Sequence, residues 1–167
     1  DRLSAIRTVP GRMERFDMGE GRPLAVVDYA HTAGALESVL QSLRYHCQGE
    51  LWCVFGAGGD RDRGKRPLMA AAAERYADHV VLTDDNPRSE DPERIIEDLC
   101  TGLEDADAVR VQHDRAAAIA ETLSRAGPQD IVLIAGKGHE TVQIVGDKAL
   151  PFSDRERVMA LQREWSG

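Results

Sequence analysis

The fold is predicted most directly by residues 80–88, which read VVLTDDNPR. The apolar run 80–82 is typical of a buried strand, and Asn86 with Pro87 ends it, because neither strand nor helix continues easily through that pair. In an open α/β sheet, ligands bind beyond the carboxyl ends of the strands. This end combines carboxylates, an amide and a guanidinium, a set that suits an amino acid. A solvated acidic turn is the alternative, since Asp, Asn and Pro are ordinary turn residues.

Similar apolar runs recur along the chain and alternate with segments of helical periodicity. The predicted strands are residues 24–27, 51–55, 80–83, 109–111 and 131–134. Most intervening segments carry apolar residues three and four positions apart, and Asp91 with Pro92 marks one helix start. Strands that alternate with helices predict a Rossmann-like, doubly wound α/β fold with a mostly parallel sheet of about six strands. We expect an antiparallel edge or hairpin near the C-terminus.

That hairpin is predicted from the pattern of the last part of the chain. Residues 142–145 and 148–152 flank a Gly-Asp pair, which is typical of a two-residue hairpin turn. Ser153 and Glu156 then have the spacing of a capping box and predict the start of a last helix.

Composition excludes several classes of protein. A net charge of −8 argues against a nucleic-acid partner. No apolar run approaches the ~18 residues of a membrane span, so no membrane partner is expected. The three cysteines lack CxxC spacing, which predicts neither disulfides nor a metal site and favours a cytoplasmic location. Residues 1–22 are polar and are interpreted as a linker, with the domain itself spanning residues 23–167.

Polar segments follow four of the predicted strands. They are residues 28–32, 56–66, 83–88 and 135–140. In the first, Thr32 is a natural N-cap, and Asp28 and His31 beside a helix N-terminus suit phosphate, ribose or a metal ion. In the last, Lys137 suits an anion and Glu140 an ammonium group. Each segment alone is equally a capped helix, a charged loop or a turn, but parallel strands bring all four to one edge of the sheet, which predicts a binding site there.

The segment after the second strand contains two incomplete phosphate-binding motifs. Residues 59–66 match G-x-x-x-x-G-K, yet Arg66 stands where a P-loop has the Ser or Thr that binds magnesium. Arg61 stands where the dinucleotide fingerprint has its third glycine. We therefore predict neither motif. The concentration of cations still favours an anion site, and a solvated charged loop is the alternative.

The four polar segments together resemble a known family. DYAHT at 28–32, GGDRDRGKRP at 58–67, TDDNPR at 83–88 and AGKGHE at 135–140 occur in the order and spacing of the C-terminal domain of the Mur ligases. The resemblance runs from about residue 11 to residue 155, and the Asp-Asn-Pro-Arg turn is similar to that of the diaminopimelate-adding members rather than the lysine-adding ones.

The resemblance implies an ATP-dependent ligase of peptidoglycan precursor synthesis. Such an enzyme adds meso-2,6-diaminopimelate to UDP-N-acetylmuramoyl-L-alanyl-D-glutamate through an acyl phosphate. An N-terminal domain would hold the UDP-sugar, and a central ATPase domain would hold most of ATP and Mg²⁺. The present chain would be the third domain, entered through a linker at 1–22 from a missing central domain, and would be inactive alone.

The resemblance also implies roles for individual residues. Arg88 would clamp a diaminopimelate carboxylate, helped by Asn86 and by the turn backbone. Glu140 would bind the ammonium of the distal amino-acid head. The implied substrate-binding residues are Arg66, Asp85, Asn86, Pro87, Arg88, Gly136 and Glu140, and the implied ATP-facing residues are Arg12, Asp28 and His31. No catalytic or metal-binding residue is expected in this chain. The family continues DYAHT with Pro and then Asp or Asn, whereas this chain has Ala33 and Gly34, so a polar ATP contact at position 34 is absent or replaced.

Two alternatives stay open from the sequence. A lysine-adding or folylpolyglutamate-type ligase would use the same domain, although the Asp-Asn-Pro-Arg turn argues against it. A receiver-like signalling module would use Asp28, Asp84, Asp85 and Lys137 as a phosphoacceptor pocket, although it needs neither the glycine-rich basic loop nor the terminal hairpin.

Overall fold

A six-stranded sheet forms the centre of the structure, a computed structural model that describes residues 11–167. Its strands are β1 (Glu14–Asp17), β2 (Leu24–Asp28), β3 (Leu51–Phe55), β4 (His79–Leu82), β5 (Arg110–Val111) and β6 (Ile131–Ala135). Their order across the sheet is β1-β2-β6-β3-β4-β5. Strand β1 runs antiparallel to β2, and the other neighbouring strands are parallel. The predicted doubly wound, mostly parallel α/β fold is confirmed.

Helices cover both faces of the sheet. They are α1 (Ala33–His46), α2 (Lys65–Tyr76), α3 (Pro92–Cys100), α4 (Arg115–Arg125) and α5 (Asp154–Ser166), and a 3-10 turn spans Ala106–Ala108. Three predicted N-caps are present. The side-chain oxygens of Thr32, Asp91 and Ser153 accept hydrogen bonds from backbone N–H groups at 3.2, 3.0 and 3.2 Å. Each cap satisfies a donor that the first helical turn leaves unpaired.

The core has two halves because each central strand is buried on both sides. In β3, Cys53 and Phe55 belong to a cluster with α1, α2 and α3, whereas Val54 belongs to a cluster with α4 and α5. This arrangement explains why the strands read as continuous apolar runs rather than alternating ones.

Both antiparallel features differ in detail from the sequence prediction. Residues 1–22 are predicted to be a linker, yet Glu14–Asp17 within that range form strand β1 and pair with β2. The sequence pattern does not identify this strand, because it has four residues and only Phe16 is buried. The hairpin β7 (Val142–Val145) and β8 (Lys148–Pro151) forms as predicted, but as a separate two-stranded sheet. Residues 1–10 of the predicted linker lie outside the described residues.

The parallel register brings four strand ends to one edge of the sheet. Asp28 at the end of β2 pairs with Ala135 of β6, and Phe55 at the end of β3 pairs with Leu82 of β4. Hydrogen bonds extend this alignment past the strands, since Gly136 N–H donates to the Asp28 carbonyl at 3.1 Å. The polar segments therefore meet as predicted. Among the helices of residues 11–167, none is long and apolar enough to cross a membrane.

Candidate functional site

A cavity of about 320 Å³ opens at this carboxyl edge. Its volume is at the lower end of the range of about 300–1,000 Å³ that is usual for small-molecule sites. The predicted residues that line it are Arg66, Asp85, Asn86, Arg88, Gly136, Glu140 and His31. Pro87, Arg12 and Asp28 are predicted site residues that are not among its lining. Arg61, Asp62 and Lys65 add further charges of both signs, so the cavity matches a ligand with both carboxylate and ammonium groups.

The turn at residues 85–88 takes its shape from strand β7. The Arg88 N–H donates to the Ile144 carbonyl at 3.0 Å, and Gly146 N–H donates to the Arg88 carbonyl at 2.7 Å. The Gln143 side chain donates to the Asp85 carbonyl at 2.7 Å. These bonds hold Arg88 at φ 53°, a left-handed conformation that a non-glycine residue rarely adopts. The hairpin thus supports the turn that lines the cavity, a role that the sequence analysis did not assign to it.

One of the three side-chain nitrogen atoms of Arg88 makes hydrogen bonds within the described part of the protein. Its Nη1 donates to the Gly59 carbonyl at 2.9 Å and, at 3.5 Å, approaches the Asn86 carbonyl. Within residues 11–167 its Nε and Nη2 make no hydrogen bond, so these donors remain for a carboxylate. Gly59 is required beside it, because a Cβ at that position would lie 1.8 Å from the Pro87 carbonyl oxygen.

Lys137, for which the sequence favours an anion, instead lies among acceptors of the protein. The side chain is fully buried, and its Nζ donates to Asn86 Oδ1 at 2.9 Å and to Glu140 Oε1 at 3.2 Å. The Asp85 carboxylate lies 3.9 Å from the same nitrogen. The anionic partners of this lysine in the structure are therefore carboxylates of the protein itself, and the lysine lies behind the acidic end of the cavity.

Gly136 joins the same end of the cavity. Its φ of 115° lies in the region that favours glycine, and a Cβ there would approach Asp85 Oδ2 to 2.8 Å. The glycine therefore lets the β6 end pass close to the Asp85 carboxylate.

Arg66 is buried, and its guanidinium group is already paired with carboxylates of the protein itself. Its Nη1 and Nη2 donate to Glu90 at 3.1 and 2.6 Å, and Nη1 also donates to Asp98 at 2.9 Å. The hydrogen bond from Arg66 lowers the pKa of Glu90 below its usual 4.5. Of its donors, Nε has no partner within the described residues. The sequence missed Glu90 and Asp98, because no local spacing links either residue to Arg66.

Of the three residues predicted to face ATP, one is engaged within the protein and two are exposed. Both Asp28 oxygens accept backbone N–H groups, from Met13 at 2.8 Å and from Ala30 at 2.7 Å. Asp28 therefore anchors the chain that leads into β1. Arg12 is exposed, and His31 is exposed at the rim with its Nδ1 at 2.9 Å from the Tyr29 carbonyl.

A buried ion pair that the sequence did not reveal supports this edge of the sheet. Arg115 of α4 binds Asp154 of α5 with two hydrogen bonds, and both side chains are fully buried. The same guanidinium donates to the carbonyls of Asp84 and Ala135, each at 3.0 Å. It thereby ties together the ends of β4 and β6.

Asp84, a phosphoacceptor candidate in the receiver-like alternative, is paired inside the structure. Its Oδ1 lies 2.7 Å from Nδ1 of His113. Burial raises the pKa of Asp84 above its usual 3.8, and the hydrogen bond with His113 opposes that rise. Within residues 11–167, no group of three or more His, Cys, Asp or Glu side chains is placed to hold a metal ion.

Comparison with known proteins agrees with this geometry. Residues 11–138 match the family "Mur ligase, glutamate ligase domain". The chain is 58% identical over 167 residues to the UDP-N-acetylmuramoyl-L-alanyl-D-glutamate–2,6-diaminopimelate ligase of Alkalilimnicola ehrlichii, covering all of this chain and 33% of the relative. It is 53% identical over 161 residues to the ligase of the same name from Vibrio vulnificus, covering 96% and 32%. The chain thus spans about a third of the length of these relatives.

Solved structures give the same result. One of a UDP-N-acetylmuramoyl-L-alanyl-D-glutamate–2,6-diaminopimelate ligase is 45% identical with a TM-score of 0.89, covering 97% of this chain and 33% of that one. The bifunctional folylpolyglutamate synthase/dihydrofolate synthase of Yersinia pestis is 23% identical with a TM-score of 0.60, covering 77% and 28%, and shares the fold alone. Since the family match extends over well more than half of the sequence, this chain belongs to the Mur ligases and carries their glutamate ligase domain.

Proposed function

We propose that this chain binds the incoming amino acid, meso-2,6-diaminopimelate, in an ATP-dependent ligase of the MurE type. The ligase would join it to UDP-N-acetylmuramoyl-L-alanyl-D-glutamate in peptidoglycan precursor synthesis. The identity of 58% to a relative of that name supports the substrate assignment. The observation that carries it is the cavity itself, where the free donors of Arg88 and the carboxylate of Glu140 offer opposite charges to one ligand.

Diaminopimelate has two carboxylates and two ammonium groups. In the proposed complex, Nε and Nη2 of Arg88 bind one carboxylate, and the backbone at Asp85 and Pro87 with the Asn86 amide completes that end. Glu140 binds the ammonium of the distal head, and Gly136 lets the backbone approach it. Lysine lacks the second carboxylate, so it would leave the Arg88 donors unpaired in the site, which disfavours it.

Arg66 has a narrower role in this proposal than the sequence implies. Its Nη donors are occupied by Glu90 and Asp98 and its Nε is buried, so no donor of Arg66 is open to a substrate carboxylate. We propose that Arg66 mainly holds the glycine-rich loop, through the Gly58 carbonyl at 3.0 Å, and lends positive potential to the cavity.

ATP and Mg²⁺ would be held mainly by a preceding central domain. The exposed Arg12 and His31 would reach a nucleotide across a domain cleft. Both Asp28 oxygens are occupied by backbone N–H groups, so Asp28 would act through the loop that it holds. We assign no Mg²⁺ ligand and no catalytic group to this chain. It would orient the amino group of the substrate, remain inactive alone and work in the cytoplasm, with neither nucleic acid nor membrane as partner.

Calorimetric titration tests the proposal. The 167-residue chain is titrated with meso-diaminopimelate and with L-lysine, beside Arg88→Ala and the matched surface control Arg163→Ala. Diaminopimelate alone should bind, and Arg88→Ala should weaken binding by about 10- to 100-fold, the usual value of a lost charge-assisted contact. Arg163→Ala should bind like the original chain.

Other outcomes decide between the alternatives. Equal binding of lysine would remove the role of Arg88 and favour a lysine-adding ligase. If the chain alone binds neither amino acid, the same comparison is made by ligation in the full-length enzyme, where domain closure completes the site. Preference for glutamate there would support the folylpolyglutamate-type reading.

A further inference from the structure

One buried cation lies behind the cavity wall and is not among the residues predicted to bind the substrate. Lys137 has no exposed surface, yet three side chains of the cavity wall surround its Nζ: Asn86 at 2.9 Å, Glu140 at 3.2 Å and Asp85 at 3.9 Å. We propose that Lys137 is a positioning residue for the amino-acid substrate, which fixes Asn86 and Glu140 in the orientation that receives the ammonium end. This inference rests on the proposed function.

The first effect of Lys137 is on the orientation of the Asn86 amide. Asn86 Oδ1 accepts from Lys137 Nζ and from the Ile144 N–H, each at 2.9 Å. Both partners can only donate, so a flipped amide would place its NH₂ group against two donors. Nδ2 is therefore held toward Glu140, whose Oε1 lies at 3.5 Å.

The second effect is on Glu140. Its Oε1 is engaged by Lys137, whereas Oε2 makes no hydrogen bond within residues 11–167. The Glu140 side chain is 32% exposed and that of Lys137 is 0% exposed. A ligand entering from solvent thus reaches the free oxygen of Glu140 and not Lys137, so Lys137 acts through Glu140 without touching the ligand.

The third effect is on charge. The carboxylates of Asp85 and Glu140 and the ammonium of Lys137 sum to one negative charge, which balances one ammonium group of a ligand. Without Lys137 two carboxylates would share the pocket, and a more cationic ligand would be favoured over a zwitterion. Lys137 therefore also contributes to specificity.

The test measures amino-acid use by the full-length ligase with Lys137→Met, beside Lys148→Met on the exposed face of the hairpin. Lys137→Met should raise KM for diaminopimelate about tenfold or more, because a displaced Glu140 would lose its charged contact with the ligand, while kcat and KM for ATP change little. Lys148→Met should behave like the original enzyme. In Lys137→Ala, added propylamine should restore KM, because it supplies the missing ammonium.

The proposal is overturned if a folded Lys137→Met enzyme keeps its KM for the amino acid. It is also overturned if kcat and both KM values worsen together and propylamine has no effect, which is the result expected of a purely structural ion pair. If Lys137→Met does not fold, Lys137→Met with Glu140→Gln removes both charges and is compared with Glu140→Gln alone. A KM raised further in the double variant supports the role of Lys137 through Asn86, and equal KM values reject the proposal.

Failure of the proposed function gives a different result. The original enzyme would then use another amino acid, and the same KM comparison with that amino acid still decides the role of Lys137. If the full-length enzyme ligates no amino acid, an NMR experiment on the 167-residue chain tests the positioning role of Lys137. The side-chain NH₂ signals of Asn86 should shift and broaden in Lys137→Met and stay unchanged in Lys148→Met; unchanged signals in both variants reject the positioning role.

Discussion

Arg115 and Asp154 form a two-pronged ion pair in the interior, with Nε–Oδ1 at 2.7 Å and Nη2–Oδ2 at 2.8 Å. Both charges are taken fully out of water. We expect Arg115→Met to lower the free energy of unfolding by about 3–5 kcal/mol, because Asp154 is left as an unpaired buried charge. Urea denaturation followed by circular dichroism measures this.

The matched control removes both charges at once. Arg115→Met with Asp154→Leu should regain much of the lost stability, since well-packed apolar pairs often replace buried ion pairs at little cost. A double variant as unstable as the single one would mean that the hydrogen bonds from Arg115 to the Asp84 and Ala135 carbonyls, and not the charge balance, hold this edge of the sheet.

Gln143 is expected to influence the site without lining the cavity. Its side chain donates to the Asp85 carbonyl at 2.7 Å, so Gln143→Leu should cost about 1 kcal/mol of stability and also weaken amino-acid binding. Gln162→Leu is the control, because Gln162 makes a similar bond to the Asp17 carbonyl at 2.8 Å far from the site. Equal effects of both variants on binding would show that β7 does not shape the turn.

Two glycines should respond oppositely to alanine. Gly136→Ala forces a Cβ into φ 115° and to within 2.8 Å of Asp85 Oδ2, which should cost about 1–3 kcal/mol. Gly34 lies in the first turn of α1, and a Cβ added there would meet nothing within 4 Å, so Gly34→Ala should stabilise by about 0.5–1 kcal/mol. Thermal denaturation measures the stability of both variants. A Gly34→Ala chain less stable than the original would contradict the open space found beside Gly34 in α1.

Stability should depend on pH through Asp130. Burial alone would raise its pKa, but hydrogen bonds from the Gly127 and Glu50 N–H groups and from Trp52 outweigh it and hold the pKa below 3.8. A depressed folded pKa gives stability above about pH 4 that is lost as the pH falls through the folded value. Asp130→Asn should therefore cost about 1–3 kcal/mol at pH 7.

The measurement is urea denaturation of both chains from pH 7 to pH 3. The difference in the free energy of unfolding between the two chains should narrow below pH 4, because protonation then removes the charge of Asp130 in the original chain. A difference that stays constant across this range would exclude a charged Asp130 as the source of the stability.

The sheet was predictable because its signals are local. Runs such as Leu51–Phe55 are apolar throughout, and caps such as Asp91 mark where helices begin. Strand β1 was missed since four residues with a single buried side chain, Phe16, give no periodicity. Edge strands take their stability from the neighbour they pair with, which a sequence pattern does not contain.

The position of the cavity was likewise predictable, whereas the contacts between the residues around it were not. Parallel strands must present Asp85 and Gly136 at the same edge, so the cavity follows from topology. The partners of Arg66, Lys137 and Arg115 are far away in the chain, and only the folded structure brings them together. The roles of these residues toward substrate remain predictions.

The hairpin bonds to residues 85–88 also set an order of assembly. Gln143 reaches back 58 positions to Asp85, and Ile144 reaches back as far to Asn86. On the ribosome, the turn that carries Arg88 is therefore synthesised before the hairpin residues that form hydrogen bonds with it. A chain that ends before residue 143 would contain every strand of the main sheet and would lack the hydrogen bonds to Asp85 and Asn86, so the turn can take its shape only after the main sheet has been synthesised.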